Sequence, residues 1–447
     1  MKIYFNGIGG AGLAPLSLLA KKFGHEVSGS DITDKGNNVD YLRQNGINVS
    51  VPGNPDNITN DIDLIIYTAA SAPGTLNYNE IEKAKGLNIR CERRGFLIDL
   101  LIKNLISIGV CGTHGKTTTT SLLTHCLIEI GEDPTYSVGG IMESTGKSSD
   151  VGSGKYFTWE ADEYANQFHE VHISYAIVNN IEYDHPDFFK TEEDYINSFK
   201  FFIENNVSEK IIVNTESSNV QKAIINIDKD KIITFGSSIS NDFYFSDILV
   251  NSSEMDFIIH NKNLEYKISS HLHGRHNTSN ITAVFALLMS LGFDSDKVIS
   301  AIKTFIGSGR RFETIFENEN VKVISDYAHH PTAIKTTILA AKELGMPVTA
   351  VFEPHQYSRI KILLNQFHEA FIDAEKVIIL PIYASRDPDT TIVTSEDLYN
   401  EIDNNNKYFY KSYKDILTDI SSAHINKTVY LCMSAGTLDD FLRKNLV

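Results

Sequence analysis

Two glycine-rich loops, each placed between an apolar strand-like run and a helical run, constrain this chain most strongly. The first loop occupies residues 7–12 after a run at 2–5, and the second occupies residues 112–118 after a run at 105–110. Strand-like and helical runs alternate over most of the sequence, which is typical of parallel α/β sheets. We therefore predict an α/β fold with a glycine loop at the carboxyl edge of two separate sheets.

Fresh strand-like runs near residues 105 and 313 predict three domains, which suits a chain of 447 residues. The predicted units are a Rossmann-like N-terminal domain at 1–105, a P-loop ATPase central domain at 106–313 and a Rossmann-like C-terminal domain at 314–447. The predicted strands are 2–5, 26–29, 64–67 and 89–91 in the first, 105–110, 156–158, 175–178, 211–213 and 232–234 in the second, and 321–325, 348–352, 376–380 and 428–432 in the third. We also predict antiparallel pairing over 243–268 and a helix over 278–291.

Composition excludes several classes of protein. The 57 acidic residues outnumber 40 basic ones, for a net charge of −17, which argues against a nucleic-acid surface. The sequence contains no apolar run of about 18 residues and no signal-peptide pattern. Its four cysteines lie far apart, without a zinc knuckle or a disulfide framework. We expect a reduced, cytoplasmic protein with no nucleic-acid or membrane partner, and the sequence leaves monomer and homodimer open.

The first glycine loop predicts a nucleotide diphosphate site. Its sequence is Gly7-Ile8-Gly9-Gly10-Ala11-Gly12, and Asp31 follows 19 residues after Gly12. Such glycines permit close backbone approach, the helix N-terminus attracts a pyrophosphate, and the acidic residue typically holds a ribose hydroxyl. Taken alone, this pattern favours a nicotinamide dehydrogenase, and a tight turn without a ligand is the simpler alternative.

The second glycine loop predicts an ATP site. In Gly112-Thr113-His114-Gly115-Lys116-Thr117-Thr118, successive N–H groups can hold phosphate oxygens and Lys116 can place a positive charge near the terminal phosphates. The Thr117 hydroxyl can complete a Mg²⁺ shell. The spacing is shorter than the usual GxxxxGK[ST] pattern, but the loop lies between a buried strand and a helix. A dehydrogenase has no use for this loop, so the first loop needs another explanation.

Acidic and histidine side chains follow two predicted strands of the central domain. Glu160 begins an acidic segment after 156–158, and Asp184-His185 follows 175–178. Parallel sheets bind ligands at this edge, so we predict Thr117 and Glu160 as Mg²⁺ ligands and His185 at a second metal. A solvated acidic loop is the alternative for Asp184 and for residues 162–163.

Two later segments carry further candidate site residues. Asn277 and Asn280 lie at the start of a helix, where side-chain amides can recognise a purine, although Asn277 could equally cap the helix. His329 and Arg359 follow adjacent strands of the third domain and suit an acidic substrate, with Arg359 as its carboxylate clamp. For the neighbouring His330, and likewise for His355, the alternative is a core histidine that is paired by a hydrogen bond within the protein.

These segments, in this order over essentially the whole chain, resemble the Mur ligases of peptidoglycan synthesis. The matching segments are Phe5-Asn6-Gly7-Ile8-Gly9-Gly10-Ala11-Gly12, the second glycine loop, Glu160-Ala161-Asp162-Glu163, Gly274-Arg275-His276-Asn277, Arg310-Arg311-Phe312-Glu313, Asp326-Tyr327-Ala328-His329-His330-Pro331 and Pro354-His355-Gln356-Tyr357-Ser358-Arg359. The resemblance implies that the first domain holds the UDP of a sugar acceptor, the second holds ATP with Mg²⁺, and the third presents an amino acid. It also explains the two glycine loops without a nicotinamide cofactor.

The resemblance also implies a role for each candidate residue. The implied catalytic residues are Lys116, Glu160, His185, His329 and Arg359. The implied ATP-binding residues are Gly112, Thr113, His114, Gly115, Lys116, Thr117, Thr118, Asn277, Asn280, Arg310 and Arg311. The implied UDP-sugar residues are Gly7, Gly9, Gly10, Gly12, Asp31 and Ser71. The implied metal ligands are Thr117, Glu160 and His185.

Finally, the resemblance implies a substrate pair. UDP-N-acetylmuramate would be the acceptor and L-alanine the amine, joined through an acyl phosphate, with Glu182 or His185 taking the proton of the amine. The stretch Tyr183-Asp184-His185-Pro186-Asp187-Phe188-Phe189 also resembles relatives that attach a recycled L-alanyl-γ-D-glutamyl-diaminopimelate tripeptide. Gln356 stands where many relatives have Arg. The tripeptide therefore remains the alternative amine.

Overall fold

The computed structural model describes residues 1–446 except 11, 34–36, 69–70, 72, 74, 76, 252–253, 386, 388 and 424–426. Ala11 of the first glycine loop thus lies outside the described residues. Within the described part, the strands form three sheets, and the chain is an α/β protein as predicted. None of the helices in this part is both long enough and apolar enough to cross a membrane.

The first sheet is parallel and has the strand order β3-β2-β1-β4-β5. Its strands are β1 (Lys2–Asn6), β2 (Glu26–Ser30), β3 (Asn48–Ser50), β4 (Leu64–Tyr67) and β5 (Arg90–Arg93). Its helices are α1 (Leu13–Lys22), α2 (Asn37–Gln44), α3 (Tyr78–Gly86) and α4 (Arg94–Leu101), with a 3₁₀ turn at Pro55–Asn57. The first glycine loop joins β1 to α1. Strands β2 and β3 lie on one side of β1 and strands β4 and β5 on the other, and sheets of this kind bind ligands where the strand order reverses.

The second sheet is mixed and has the order β15-β14-β13-β12-β11-β10-β6-β9-β7-β8. Its strands are β6 (Ile106–Cys111), β7 (Thr135–Met142), β8 (Lys147–Asp150), β9 (Tyr156–Glu160), β10 (Ile173–Val178), β11 (Val207–Asn214), β12 (Ile232–Gly236), β13 (Phe243–Val250), β14 (Met255–Asn261) and β15 (Leu264–Ser270). Its helices are α5 (Lys116–Ile130), α6 (Glu192–Asn206), α7 (Ser218–Ala223), α8 (His276–Ser290) and α9 (Ser295–Thr304), with 3₁₀ turns at Tyr164–Glu170 and Lys229–Lys231. The antiparallel pairing predicted over 243–268 is confirmed, and β13 joins the rest of the sheet by parallel pairing with β12.

The third sheet has the order β16-β17-β21-β18-β19-β20, and all its pairs are parallel except β16 with β17. Its strands are β16 (Glu313–Glu317), β17 (Val321–Asp326), β18 (Val348–Glu353), β19 (Lys376–Ile379), β20 (Lys407–Phe409) and β21 (Thr428–Ser434). Its helices are α10 (Pro331–Lys342), α11 (Tyr357–Leu363), α12 (Ser395–Glu401), α13 (Tyr413–Ser421) and α14 (Leu438–Asn445), with a 3₁₀ turn at Leu364–Phe367.

The apolar cores show which sheets share buried surface. One continuous core cluster contains Phe5 of β1 together with Phe168 and Phe199 of the central region, so the first two sheets share buried apolar surface. The two core clusters of the third sheet contain described residues from 312 onward. Apolar burial is the main cohesive force between layers, so the third domain, which meets the second through polar contacts, is the part best able to separate.

Candidate active site

The second glycine loop runs from the end of β6 into α5, with two glycines in the left-handed region. Gly112 has φ +140° and Gly115 has φ +79°. A Cβ on Gly115 would lie 2.8 Å from Oδ1 of Asn280, and one on Gly112 would lie 3.0 Å from the carbonyl oxygen of Asn180. The His114 N–H donates to Oδ1 of Asn180 (2.9 Å). Side chains and backbone from other elements therefore wrap this loop so closely that only glycine fits at these two positions.

Lys116 forms a buried ion pair at the start of α5. Its Nζ lies 2.9 Å from Oε2 of Glu163 and donates to the carbonyl oxygen of Gly112 (2.5 Å). Burial alone would lower the pKa of Lys116, but Glu163, Asp162 and Glu160 together outweigh it and raise the pKa. Burial would likewise raise the pKa of Glu163, yet Lys116 and His185 hold it at about 2. Both groups are therefore charged at neutral pH, and Lys116 is held as a cation beside the loop.

Thr117, Glu160 and Arg311 form a chain of hydrogen bonds next to Lys116. The Thr117 hydroxyl donates to Oε1 of Glu160 (3.1 Å) and accepts from Nη2 of Arg311 (2.9 Å). The Gly139 N–H fixes the other carboxylate oxygen of Glu160 at 2.7 Å. A hydroxyl and a carboxylate at hydrogen-bond distance beside a phosphate-binding loop match the oxygen ligands that Mg²⁺ uses together with phosphate oxygens. The residues present thus fit Mg²⁺.

His185 lies beside Glu163, with its Nε2 3.3 Å from Oε1 of that residue. Its φ is +56°, in the left-handed region. Burial would lower the pKa of His185, but the neighbouring Asp184 and Glu163 raise it above its ordinary value. The raised pKa favours a protonated imidazole, whose Nε2 faces Glu163, and the metal-ligand role of His185 stays a prediction.

A second buried ion pair joins the central and third domains. Nε of Arg359 lies 3.1 Å from Oδ1 of Asp184, and each residue is 5% exposed. Burial would raise the pKa of Asp184, but His185 and Arg359 hold it well below its ordinary value. Nη1 of Arg359 lies 3.4 Å from Nδ1 of His355. Arg359, predicted to hold the carboxylate of a substrate, therefore binds the carboxylate of Asp184 in this structure. The other edge of its guanidinium faces His355.

The adjacent histidines 329 and 330 have different roles. Nδ1 of His329 donates to the carbonyl oxygen of Tyr327 (2.9 Å), and burial and then Arg359 lower its pKa well below the ordinary value. His330 is 1% exposed and caps α10, since its Nδ1 accepts from the Thr332 N–H (3.3 Å). Burial, followed by the neighbouring His114, lowers the pKa of His330 to about 4. Both rings are therefore neutral at neutral pH.

Glu182 bridges the glycine loop and the third domain. Its Oε2 lies 2.6 Å from Nε2 of His114, and its Oε1 accepts from the Thr332 hydroxyl at 2.6 Å. Burial would raise the pKa of Glu182, but His114 and Thr332 hold it at about 2. From the sequence, Glu182 is only a candidate proton acceptor for the amine, and a carboxylate with so low a pKa is a weak base. Its observed role is to bridge the two domains.

The consecutive arginines 310 and 311 point to different partners. Nη2 of Arg310 donates to the carbonyl oxygen of Ser434 (2.7 Å), within the third domain, whereas Arg311 reaches Thr117. Both guanidinium groups lie over the ring of Tyr327, at 5.0 and 4.8 Å from its centroid. Of the two predicted phosphate-binding arginines, the structure thus brings Arg311 to the glycine loop.

The amides at the start of α8 bond mainly to each other. Asn277 donates to the carbonyl oxygen of His273 (2.7 Å), and Asn280 donates to Oδ1 of Asn277 (2.8 Å). The N-cap position of α8 is Arg275, so the alternative that Asn277 caps the helix is wrong. The oxygen of Asn280 faces Gly115, which places this pair beside the nucleotide loop.

A cleft of about 540 Å³ opens at the first glycine loop. Its lining includes the predicted residues Gly7, Gly9, Gly10, Gly12, Asp31 and Ser71. Asp31 Oδ2 accepts from the Gly9 N–H (2.8 Å), so one of its oxygens positions the loop itself. Ser71 Oγ donates to Oδ1 of Asn6, whose amide in turn donates to the buried Glu80 at 2.6 Å.

Arg93 and Arg94 also line this cleft and are not among the residues predicted from the sequence. They end β5 and begin α4, so the rule that ligands bind at the carboxyl ends of parallel strands could have identified them. Nη2 of Arg94 donates to Oδ2 of Asp162 at 2.9 Å. These are the cationic side chains that an anionic ligand in the cleft would meet.

The acidic segment 160–163 forms a wall between the cleft and the nucleotide loop. Glu160 faces Thr117, Asp162 faces Arg94 in the cleft, and Glu163 faces Lys116. A phosphate held by the loop and a ligand held in the cleft would therefore approach each other across a few residues. This arrangement suits transfer of a phosphoryl group between two bound molecules.

Three family models together match most of the chain. They are the Mur ligase family catalytic domain at residues 2–104, the Mur ligase middle domain at 110–288, and the Mur ligase glutamate ligase domain at 310–436. The chain is 37% identical to the UDP-N-acetylmuramate–L-alanine ligase of Lachnospira eligens, covering 98% of this chain and 96% of that relative.

Solved structures share the same architecture. The UDP-N-acetylmuramate–alanine ligase of Thermotoga maritima matches with a TM-score of 0.81 and 27% identity, covering 100% of this chain and 98% of that one. The murein peptide ligase of Psychrobacter arcticus matches with a TM-score of 0.72 and 23% identity, with the same coverage, and shows the fold alone.

Proposed function

Because this chain belongs to the Mur ligase family, we propose that it joins L-alanine to UDP-N-acetylmuramate, converting ATP to ADP and phosphate. The observation that carries the proposal is the wall at 160–163, which places a nucleotide-phosphate loop next to a cleft suited to a nucleotide-linked acid. The named activity of the 37%-identical relative supports the choice of substrates. We place the reaction in the cytoplasm, where ATP is available.

The acceptor would lie in the cleft of the first domain. Gly9 and Gly10 permit the backbone to approach a pyrophosphate, and the N-terminus of α1 favours its charge. Arg93 and Arg94 supply cationic side chains to the same cleft, and Nη1 of Arg94 lies next to Gly12 of the loop. Because Arg94 also contacts Asp162, an acceptor held there would have its sugar acid directed towards the nucleotide loop.

The first chemical step is transfer of the γ-phosphoryl group. An oxygen of the acceptor carboxylate attacks the γ-phosphorus, the bond to the β–γ bridging oxygen breaks, and ADP leaves with that electron pair. This step converts a carboxylate, which is a poor acyl donor, into an acyl phosphate. Lys116 and Arg311 place positive charge where the phosphoryl oxygens gain negative charge. Mg²⁺ bound through Thr117 and Glu160 would supply further positive charge at the same place.

The second step is attack of the amine of alanine on the acyl phosphate. A tetrahedral intermediate forms, its nitrogen gives up one proton to solvent, the C–O bond to phosphate breaks, and phosphate leaves with that electron pair. His329 suits the amine, because its Nδ1–H is bonded to Tyr327 and its Nε2 keeps a lone pair for an N–H of the amine. The edge of Arg359 near His355 suits the alanine carboxylate. Closure of the third domain onto Asp184 and Glu182 would bring these groups to the intermediate and exclude water.

The decisive experiment measures phosphate release from ATP in the presence of UDP-N-acetylmuramate. L-alanine, glycine, L-serine and the L-alanyl-γ-D-glutamyl-diaminopimelate tripeptide are offered separately, and each substrate is omitted in turn. We expect release to require ATP, acceptor and L-alanine together. Release with the tripeptide alone would assign the recycling reaction instead, and release with no amine would contradict the proposed function.

A further inference from the structure

We propose that His114, Glu182 and His330 form a binding site for a zinc-class divalent cation between the nucleotide loop and the third domain. His114 belongs to the glycine loop, Glu182 follows β10, and His330 precedes α10. The site is separate from the Mg²⁺ position of Thr117 and Glu160, with which it shares no residue. It goes beyond the proposed ligase activity; binding of the cation does not depend on that activity, and the effect expected on turnover rests on it.

The three side chains converge on one small volume. One ligand atom from each residue can be chosen so that all three lie within 4.8 Å of one another. Oε2 of Glu182 is 2.6 Å from Nε2 of His114 and 4.0 Å from Nδ1 of His330. A tetrahedral ion with bonds of about 2.0–2.1 Å holds its ligands roughly 3.4 Å apart. The observed separations of 2.6 and 4.0 Å lie on either side of that value, so small side-chain rotations complete the geometry.

The ligand set selects the class of cation. Two imidazole nitrogens and one carboxylate oxygen are the protein ligands of many open zinc sites, whereas Mg²⁺ prefers an all-oxygen shell. Nδ1 of His330 is only weakly engaged, because its contact with the Thr332 N–H is 3.3 Å long. A cation can therefore take that lone pair in exchange for one long hydrogen bond.

Neighbouring groups already orient two of the ligands. The Thr332 hydroxyl binds the second oxygen of Glu182 at 2.6 Å and directs Oε2 towards the histidines. An outer contact of this kind fixes the direction of a ligand at a metal site. Asn180 fixes the backbone of His114, since its side chain accepts from the His114 N–H (2.9 Å) and donates to the His114 carbonyl oxygen (3.1 Å).

Such a cation would connect two domains that otherwise meet through polar contacts. His114 and Glu182 belong to the central domain, and His330 to the third. Binding therefore stabilises the closed arrangement and opposes the opening needed to release products. We expect micromolar Zn²⁺ to inhibit turnover at saturating Mg²⁺ and ATP.

The test is titration of the full-length, metal-free protein with Co²⁺, without substrates. Co²⁺ in a four- or five-coordinate site with nitrogen ligands absorbs visible light far more strongly than six-coordinate Co²⁺ with oxygen ligands. We expect one such Co²⁺ per chain, displaced by one equivalent of Zn²⁺ and not by Mg²⁺. Competition with a chromophoric chelator then gives the Zn²⁺ affinity.

Four variants locate the site. His330→Ala and the nearly isosteric Glu182→Gln should each weaken Zn²⁺ binding about 100-fold or more, because even outer contacts to metal ligands contribute about 10–100-fold. Glu160→Gln, at the Mg²⁺ position, should keep the Co²⁺ absorption. His368→Ala removes an exposed histidine of the third domain and is the matched control. Circular dichroism establishes that each variant is folded.

Two results would overturn the proposal. One is the absence of strong Co²⁺ absorption in the wild-type protein. The other is absorption that survives both His330→Ala and Glu182→Gln but disappears in Glu160→Gln, which would place the ion at the nucleotide site. Because no substrate is present, failure here leaves the ligase assay unaffected, and failure of the ligase assay leaves this result unaffected.

Discussion

Lys116→Met separates the structural role of the lysine from its chemical role. The variant keeps the length and apolar stem of the side chain but removes the cation 2.9 Å from Glu163. Glu163 is 1% exposed, so its carboxylate would remain buried with His185 and the Tyr195 hydroxyl as its partners, each at a distance of 3.2–3.3 Å. The variant therefore keeps the buried negative charge of Glu163 and loses the positive charge of Lys116 that compensates it.

The expected loss of stability is large because an uncompensated buried charge remains. Removing one partner of a buried pair typically costs about 3–5 kcal/mol. For a domain of the size of the central one, about 2–4 °C per kcal/mol gives a fall in Tm on the order of 6–20 °C. The pKa of Glu163, held at about 2 by Lys116 and His185, should rise, so the variant loses less stability than the wild type when the pH is lowered.

A double variant distinguishes the two roles. Lys116→Met with Glu163→Gln removes both charges, so thermal unfolding should return close to that of the wild type. Phosphate release should stay about 100–1,000-fold below the wild type in both variants, because the Lys116 cation no longer faces the transferred phosphoryl group. Lys335→Met, which removes a solvent-exposed lysine of the third domain, is the control and should change stability by less than about 0.5 kcal/mol.

Two results would refute this reasoning. If Lys116→Met unfolds at the temperature of the wild type, then Glu163 does not depend on the lysine for its buried charge. If the double variant regains activity along with stability, then Lys116 serves the fold and makes no contribution to phosphoryl transfer. Thermal unfolding and phosphate release measured on the same preparations decide between these possibilities.

Three further outcomes follow from the site. Arg359→Met and Asp184→Asn should each lower kcat/KM by about 30-fold or more, as expected for leaving a buried charge unpaired. The double variant should lose less activity than the product of the two single losses. A loss equal to that product would show that the pair at 3.1 Å is not coupled. Gly115→Ala should weaken ATP binding without unfolding the chain, because its φ is +79° and a Cβ would meet Asn280; unchanged ATP affinity by calorimetry would contradict this. Burial and the nearby His114 hold the pKa of His330 at about 4, against about 6.5 in the unfolded chain. Its contribution to the free energy of unfolding is therefore complete above pH 6.5 and is lost as the pH falls towards 4. By pH 5 the loss is about 2 kcal/mol, and His330→Asn should show a shallower fall in Tm over that range.

Most of the strands that the sequence predicted are buried, although the edge strand β5 was also predicted. Runs such as 348–352 and 376–380 are apolar because both faces of a parallel sheet are covered, and the structure has strands there. Five strands were missed. β3, β8, β16 and β20 lie at sheet edges, and β7 lies between β9 and the edge strand β8. Their sequences, for example KSSD in β8 and ETIFE in β16, lack a continuous apolar run. Their pairing is determined by the neighbouring strand, which local sequence does not reveal.

The site was predictable where one segment supplies the chemistry. The glycine loop at 112–118 contains its own signal, since glycine, lysine and hydroxyl follow one another between a strand and a helix. The contacts between domains were not predictable. Arg359 and Asp184 are separated by 175 residues, and either could have faced a substrate. Only the packing of the third domain against the central one shows that they bind each other.

The linker between those domains shows how backbone strain directs side chains. Arg310 has φ +59°, and this turn lets it reach Ser434 while Arg311 reaches Thr117. A residue with a Cβ pays about 1–2 kcal/mol for this conformation, and glycine does not. Arg310→Gly and Arg310→Ala lose the same contact with Ser434, so they differ only in backbone preference. We expect the glycine variant to be the more stable by about 1 kcal/mol, the reverse of the usual order in helices and strands. If the alanine variant is as stable or more so, the contacts around the linker do not hold residue 310 in the left-handed region.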